Sequence, residues 1–169
     1  MGDVFKEQII QRKPTTKDFI FRVLLIAAAG IIFFIAMIFL TGFGIIFGFA
    51  AVFGAWYGMS FLNVEYEYVF TNGDLDIDII YNRARRKRLF SGHVNNFELM
   101  CHVEDNVRIG EFNSAQETRD YSSGVVGENT YAFLTTHNSK RLKIIFEPNE
   151  KLLKAIGTVL TRRKLFVKQ

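Results

Sequence analysis

The sequence is short of catalytic motifs: it has no glycine-rich phosphate loop, dinucleotide fingerprint, zinc-ligand spacing or nucleophile elbow. The mechanisms those motifs carry have no foothold in the chain, so it reads as a non-enzyme without a cofactor. Cysteine is nearly absent. Cys101 is the only one, which rules out an intrachain disulfide and suits a reducing compartment. Cys101 and His102 make one thiol–imidazole pair, too few ligands to close a zinc site, so a core cysteine beside a histidine is expected there. Proline is scarce, with Pro14 and Pro148 alone, and the chain is too apolar for a disordered protein. The most informative absence is of charge, because the 42 residues from Val23 to Val64 contain no Asp, Glu, Lys or Arg.

A bilayer core of roughly 30 Å takes about 20 helical residues to cross, so an uncharged run of 42 residues is two crossings long. The expected spans are Phe19 to Leu40 and Phe43 to Leu62, with Thr41 and Gly42 as the turn. In lipid the backbone must satisfy itself, so both spans should be helices packed as an antiparallel pair. Gly44, Gly48, Gly54 and Gly58 give the second span two small-xxx-small pairs for helix packing. Gly30 with Ala27 to Ala29 offers a matching surface within the hairpin, and a second copy of the chain is the other candidate partner. From Val23 to Leu62 there is no charged residue of the kind that marks ion paths, which argues against a pore. The run is too long for a cleaved signal peptide.

Orientation follows from Lys6, Arg12, Lys13, Lys17 and Arg22, which flank the N-terminal side of the first span, and from the basic run Arg83 to Arg88 after the second. The positive-inside rule then puts both termini in the cytoplasm of a multi-pass cell-membrane protein, with Trp56, Tyr57 and Phe61 at the inner interface or in helix packing. Residues 1–18 form a cytoplasmic segment, in which Val4, Phe5, Ile9 and Ile10 suit either a short interfacial helix or an unstructured lead-in.

From Val64 the hydrophobic period becomes two. Val64, Tyr66, Tyr68 and Phe70 alternate with acids, as do Leu75, Ile77 and Ile79, and Asn72-Gly73 between them has the residues of a type I′ turn. That hairpin faces the core with one side and carries Glu65, Glu67, Asp76 and Asp78 on the other. Opposed carboxylates destabilise a sheet and call for a neutralising partner. A divalent cation is one candidate. The nearer one is the basic run Arg83, Arg85, Arg86, Lys87 and Arg88, returning as a third strand. Two uses compete for these side chains: alternate ones paired with the acidic stripe, or contact with anionic headgroups or a protein partner. A nucleic-acid role lacks both a recognition helix and interleaved aromatics.

His93 to His102 reads as another strand, and 103–127 as a polar, mobile loop with short strands or a turn of helix. A second hairpin sets Tyr131, Phe133 and Thr135 against Leu142, Ile144 and Phe146 across Asn138-Ser139 and closes the sheet. Pro148 opens an amphipathic helix over 148–164 that carries Leu152, Leu153, Ile156, Val159 and Leu160 and ends in Arg162, Arg163 and Lys164.

The segment Tyr68-Val-Phe-Thr-Asn-Gly-Asp-Leu-Asp-Ile, the basic Arg83 to Arg88 and then Val94 to Leu99 resemble the opening strands of bacterial PH-like domains. The whole chain resembles a family of small bacterial membrane proteins of unknown function with the same hairpin, turn and basic strand. The resemblance implies a membrane α+β protein: a transmembrane hairpin over 19–62, then a PH-like antiparallel sandwich or barrel over 64–169 capped by the C-terminal helix. It implies no catalytic residue. The expected role is a membrane-anchored interaction module, with a small membrane subunit that assembles through its glycine-rich helices as the alternative.

Overall fold

The structure, a computed structural model, describes residues 4–40, 42–160 and 165–166. The chain divides into two compact units, one of Pro14–Val64 with Tyr81–Arg85, the other of Met1–Lys13, Glu65–Ile80 and Arg86–Gln169.

The first unit is helical. Helix α1 (Thr16–Phe39) starts earlier than Phe19 because Thr15 and Asp18 close a capping box: the Asp18 amide donates to the Thr15 hydroxyl at 3.3 Å, and the Thr15 amide to the Asp18 carboxylate at 2.8 Å. At 24 residues α1 is about 36 Å long and apolar enough to cross a bilayer. Helix α2 (Gly44–Ser60) has 17 residues, about 26 Å, shorter than the expected second span. It stops there because the chain tightens: the amides of Phe61, Leu62 and Asn63 bond three residues back, to Gly58, Met59 and Ser60. The helices are antiparallel, since Gly44, Gly48 and Gly58 of α2 lie against Ala36, Phe33 and Leu25 of α1 respectively. Thr41 of the expected turn lies outside the described residues. Large apolar side chains from Phe19 to Phe53 are exposed along both helices.

The second unit is a two-sheet domain. Strand β1 (Phe5–Gln11) precedes the helices in the chain, and β2 (Val64–Thr71), β3 (Asp74–Tyr81) and β4 (Arg85–His93) follow them. A 3-10 turn at Val94–Asn96 leads into β5 (Phe97–His102), so the strand expected from His93 begins later. A second 3-10 segment (Ile109–Ser114) and β6 (Glu117–Asp120) occupy the polar stretch, then come β7 (Tyr131–His137), β8 (Lys140–Phe146), α3 (Glu150–Val159) and β9 (Leu165–Phe166). One sheet has the order β1-β2-β3-β4 and the other β6-β8-β7-β5-β9, so the second hairpin lies inside a separate sheet and does not close the first. Strand β6 runs parallel to β8, a non-local pairing without a turn signature.

Both expected hairpins form, with Asn72 and Gly73, and Asn138 and Ser139, at positive φ. The second has the expected register, Tyr131 against Phe146, Phe133 against Ile144 and Thr135 against Leu142. The core is aromatic: Phe97 stacks on Phe133 at 4.0 Å, and Phe133 meets Phe146 edge-on at 5.2 Å. On the opposite face of the second sheet Phe112 covers Leu99, Cys101, Ala132 and Leu134. Tyr68 ties the two sheets by donating its hydroxyl to the Tyr121 carbonyl and accepting from the Glu147 amide.

Residues 5–11 are neither an interfacial helix nor a lead-in. They pair antiparallel with β2 over seven positions, from Phe5 opposite Thr71 to Gln11 opposite Glu65. The Gln8 side chain donates to the Glu147 carbonyl at 2.8 Å and accepts from the Asn149 amide at 2.7 Å, binding β1 to the start of α3. A domain drawn as 64–169 therefore omits one of its own strands. Helix α3 begins at Glu150 because the Asn149 side chain caps the Leu152 amide, which leaves Pro148 outside the helix. It ends at Val159; Arg162, Arg163 and Lys164 lie outside the described residues.

Candidate functional site: the basic strand and the acidic face

The basic run divides by position. Arg86 reaches Glu67 at 2.6 Å, and Arg88 reaches both Asp76 and Asp78 at 2.9 Å, so these two neutralise the acidic face of the sheet. Arg83 and Arg85 belong to the helical unit. Arg83 sits at positive φ (55°) in the β3–β4 turn, and the Arg85 guanidinium lies 5.8 Å from the Phe61 ring centre, within cation–π range. Lys87 is exposed. Alternation along the strand separates the two uses: even-numbered Arg86 and Arg88 are bound to carboxylates, while among the described residues Arg85 and Lys87 have no carboxylate partner.

The acidic face is tighter than a solvated stripe. Glu67 is 1% exposed and Asp78 is 3%, and the Glu67 Oε2 atom is buried with no hydrogen-bond partner among the described residues. Burial lifts the Glu67 carboxyl above the usual carboxylate range; Arg86 opposes the rise, and Glu7 on β1 and Asp78 add to it. A proton on Oε2 donated to the Glu7 carboxylate would satisfy that buried atom. A raised acid binds more protons when folded than unfolded, so stability is greatest on the acid side and falls as pH climbs from the ordinary carboxylate range through the raised value. Glu67→Gln keeps an acceptor for Arg86 and a donor for Glu7 with no proton to lose. We expect wild-type urea midpoints to fall with pH across that window and those of Glu67→Gln to fall less steeply. Parallel curves would refute the assignment.

Cys101 and His102 are structural. Burial pushes the Cys101 thiol up to about 11, which leaves it inert at neutral pH. The buried His102 ring bonds the Gly127 carbonyl at 3.0 Å and the Glu104 amide at 3.2 Å. Among the described residues no three His, Cys, Asp or Glu side chains gather as metal ligands, and Asp76 and Asp78 face arginine.

The glycines also divide. A methyl group at Gly44 would lie 2.5 Å from the Ala36 carbonyl oxygen, and one at Gly48 2.5 Å from the Phe33 ring. Gly58 has ordinary contact with Leu25. Among the described residues nothing lies within 4 Å of a methyl group at Gly54 or Gly30, so Gly30 does not answer the glycines of α2, and Gly44, Gly48 and Gly58 meet Ala36, Phe33 and Leu25 in its place.

The model of a bacterial PH-like domain family of unknown function, DUF6106, matches residues 2–166. The chain belongs to that family. No curated protein and no solved structure matches it. The DUF6106 match begins ahead of β1 and runs through the helices, as expected if β1 is part of the PH-like domain and the hairpin is an insertion between β1 and β2. Two antiparallel-rich sheets followed by a C-terminal helix fit the PH-like description, and PH-like domains are typically non-catalytic.

Sequence reading missed two participants in this DUF6106 chain. Glu7, the second carboxyl beside Glu67, carries no local signal because its strand finds its partner beyond the helices. In the sequence Arg22 signals only orientation, yet as the last charge before the uncharged run it lines a cleft with Trp56, Met59, Ser60, Asn63 and Asn82.

Proposed function

We propose that this DUF6106 chain is a membrane-anchored, non-enzymatic interaction module. In this reading α1 and α2 both enter the cell membrane from the cytoplasmic side, α2 reaching across with the help of flanking Phe43, Phe61 and Leu62. The PH-like domain then meets the anionic inner leaflet or a protein partner through the side of β4 that the acidic face does not use. The observation that carries the reading is the division of the basic run: two arginines are bound by Glu67, Asp76 and Asp78, while Arg85 and Lys87 have no carboxylate among the described residues. The exposed apolar side chains of α1 support the anchor, because a helix of this length and apolarity would be buried in a water-soluble protein.

The test uses the full chain in nanodiscs of zwitterionic lipid with and without phosphatidylglycerol. Each basic residue near an anionic surface contributes about 1 kcal/mol, so removing three shifts docking by roughly a hundredfold. Amide exchange in β4 should slow in the anionic discs, and the triple variant Arg83→Gln, Arg85→Gln, Lys87→Gln should abolish the difference. Equal exchange in both discs rejects the lipid arm and leaves the protein partner. The rival reading, assembly of helices with a second copy or a larger complex, rests on Gly30 and Gly54, which face open space, since Gly44 and Gly48 are used inside the hairpin.

A further inference from the structure

Within the helical unit a cleft of about 330 Å³ opens between the N-terminal part of α1 and the C-terminal end of α2, lined by Arg22, Trp56, Met59, Ser60, Asn63 and Asn82. That volume lies at the small end of the range for ligand pockets, about 300–1,000 Å³. Its walls are held by the backbone, since the Asn82 amide donates to the Asn63 carbonyl at 2.8 Å and fixes the β3–β4 turn against the end of α2. Arg22 is the only charge in the lining. Its hydrogen-bond partner among the described residues is the neutral Asn63 side-chain oxygen, at 3.5 Å.

The surroundings of Arg22 give that missing counter-ion a meaning. Phe19, Ile20, Phe21, Val23 and Leu24, on either side of it in α1, are all large, apolar and exposed. If α1 is in lipid, as proposed above, the apolar surface begins before Arg22, and its guanidinium sits at the depth where headgroups meet acyl chains. A charge at that depth is costly unless paired, and a phosphate at the same level is the partner the bilayer itself supplies. The planar guanidinium binds phosphate through two parallel N–H donors, and the Asn63 and Asn82 side-chain amides supply neutral donors in the same lining. Trp56, 62% exposed, puts an amphipathic ring at the rim, where such rings favour the interface.

We infer that this cleft holds the phosphate headgroup of one anionic inner-leaflet lipid, with Arg22 as its counter-ion. The inference rests on the membrane reading but concerns a different set of residues from the basic strand.

Trp56 is the only tryptophan in the chain, so its fluorescence reports the cleft directly. The full chain is placed in nanodiscs containing a minor fraction of acyl-brominated phosphatidylglycerol or, in parallel, the same fraction of brominated phosphatidylcholine. A single arginine–phosphate contact should enrich the anionic lipid about fivefold at the cleft, so brominated phosphatidylglycerol should quench Trp56 more strongly. Arg22→Gln should equalise the two lipids, Arg22→Lys should keep most of the excess, and Lys151→Gln, exposed on α3 and outside the cleft, should leave it unchanged. Equal quenching in the wild type, or an excess that survives Arg22→Gln, overturns the inference. Loss of the excess on adding millimolar inorganic phosphate also overturns it, assigning the cleft to a soluble anion. Quenching by neither lipid is a separate outcome, because it removes the membrane reading itself.

Discussion

A polypeptide that begins at Val64 should fail to hold the PH-like fold, and joining residues 4–13 to it through a short glycine–serine linker should restore the fold. The expectation follows from β1. Seven paired positions with β2, one hydrogen bond donated and one accepted by the Gln8 side chain, and one from the Lys13 amide just beyond the strand to the Ser123 carbonyl connect this segment to three parts of the domain. At a net value of about 1 kcal/mol per hydrogen bond, its loss costs on the order of 5 kcal/mol or more. That is comparable with the whole stability of a small domain, about 5–15 kcal/mol. The removal also uncovers the edge of β2 along its length, an invitation to aggregate. Because Gln11 lies opposite Glu65, the linker has a short gap to close. The measurement is urea unfolding followed by circular dichroism: a cooperative transition for the rejoined polypeptide and none for the piece starting at Val64. A cooperative transition in the shorter piece at the same midpoint would show β1 to be dispensable.

The same strand marks where sequence reasoning stops. Alternation exposed β2, β3, β7 and β8, because each puts its apolar residues on one face against a buried core, and Asn72-Gly73 and Asn138-Ser139 fixed their turns. The neutralising role of the basic run was legible too, since opposed carboxylates on one face demand cations nearby. Strand β1 gave no such signal. Phe5, Glu7 and Ile9 share one face and Lys6, Gln8 and Ile10 the other, a mixture that fits an edge strand and a surface helix equally well. Its partner lies more than fifty residues away, beyond the hairpin, so no local pattern links them. Strand β6 is polar throughout and pairs in parallel with β8 for the same want of a local cue. The cleft at Arg22 was hidden for a different reason, because its residues come from two helices and a turn that only the folded hairpin brings together.

Geometry also separates glycines that look alike in sequence, and the effects of adding one methyl group should have opposite signs. Gly44→Ala places a Cβ 2.5 Å from the Ala36 carbonyl oxygen and 3.0 Å from the Met37 Cα, all backbone that no rotamer change can clear, so the helices must separate. Overpacking of this kind typically costs about 1–3 kcal/mol, and contact with backbone puts Gly44 at the upper end. Gly48→Ala meets the Phe33 ring, a side chain able to turn aside, and should cost less. Gly54→Ala meets nothing within 4 Å and replaces a flexible residue inside a helix, a change that stabilises by roughly 0.5–1 kcal/mol. Unfolding of the detergent-solubilised full chain, followed by Trp56 fluorescence, should therefore rank Gly54→Ala above wild type, then Gly48→Ala, then Gly44→Ala. If Gly54→Ala proves the most damaging, the open side of α2 is occupied by another helix in the membrane, and assembly becomes the better account of the glycine pattern.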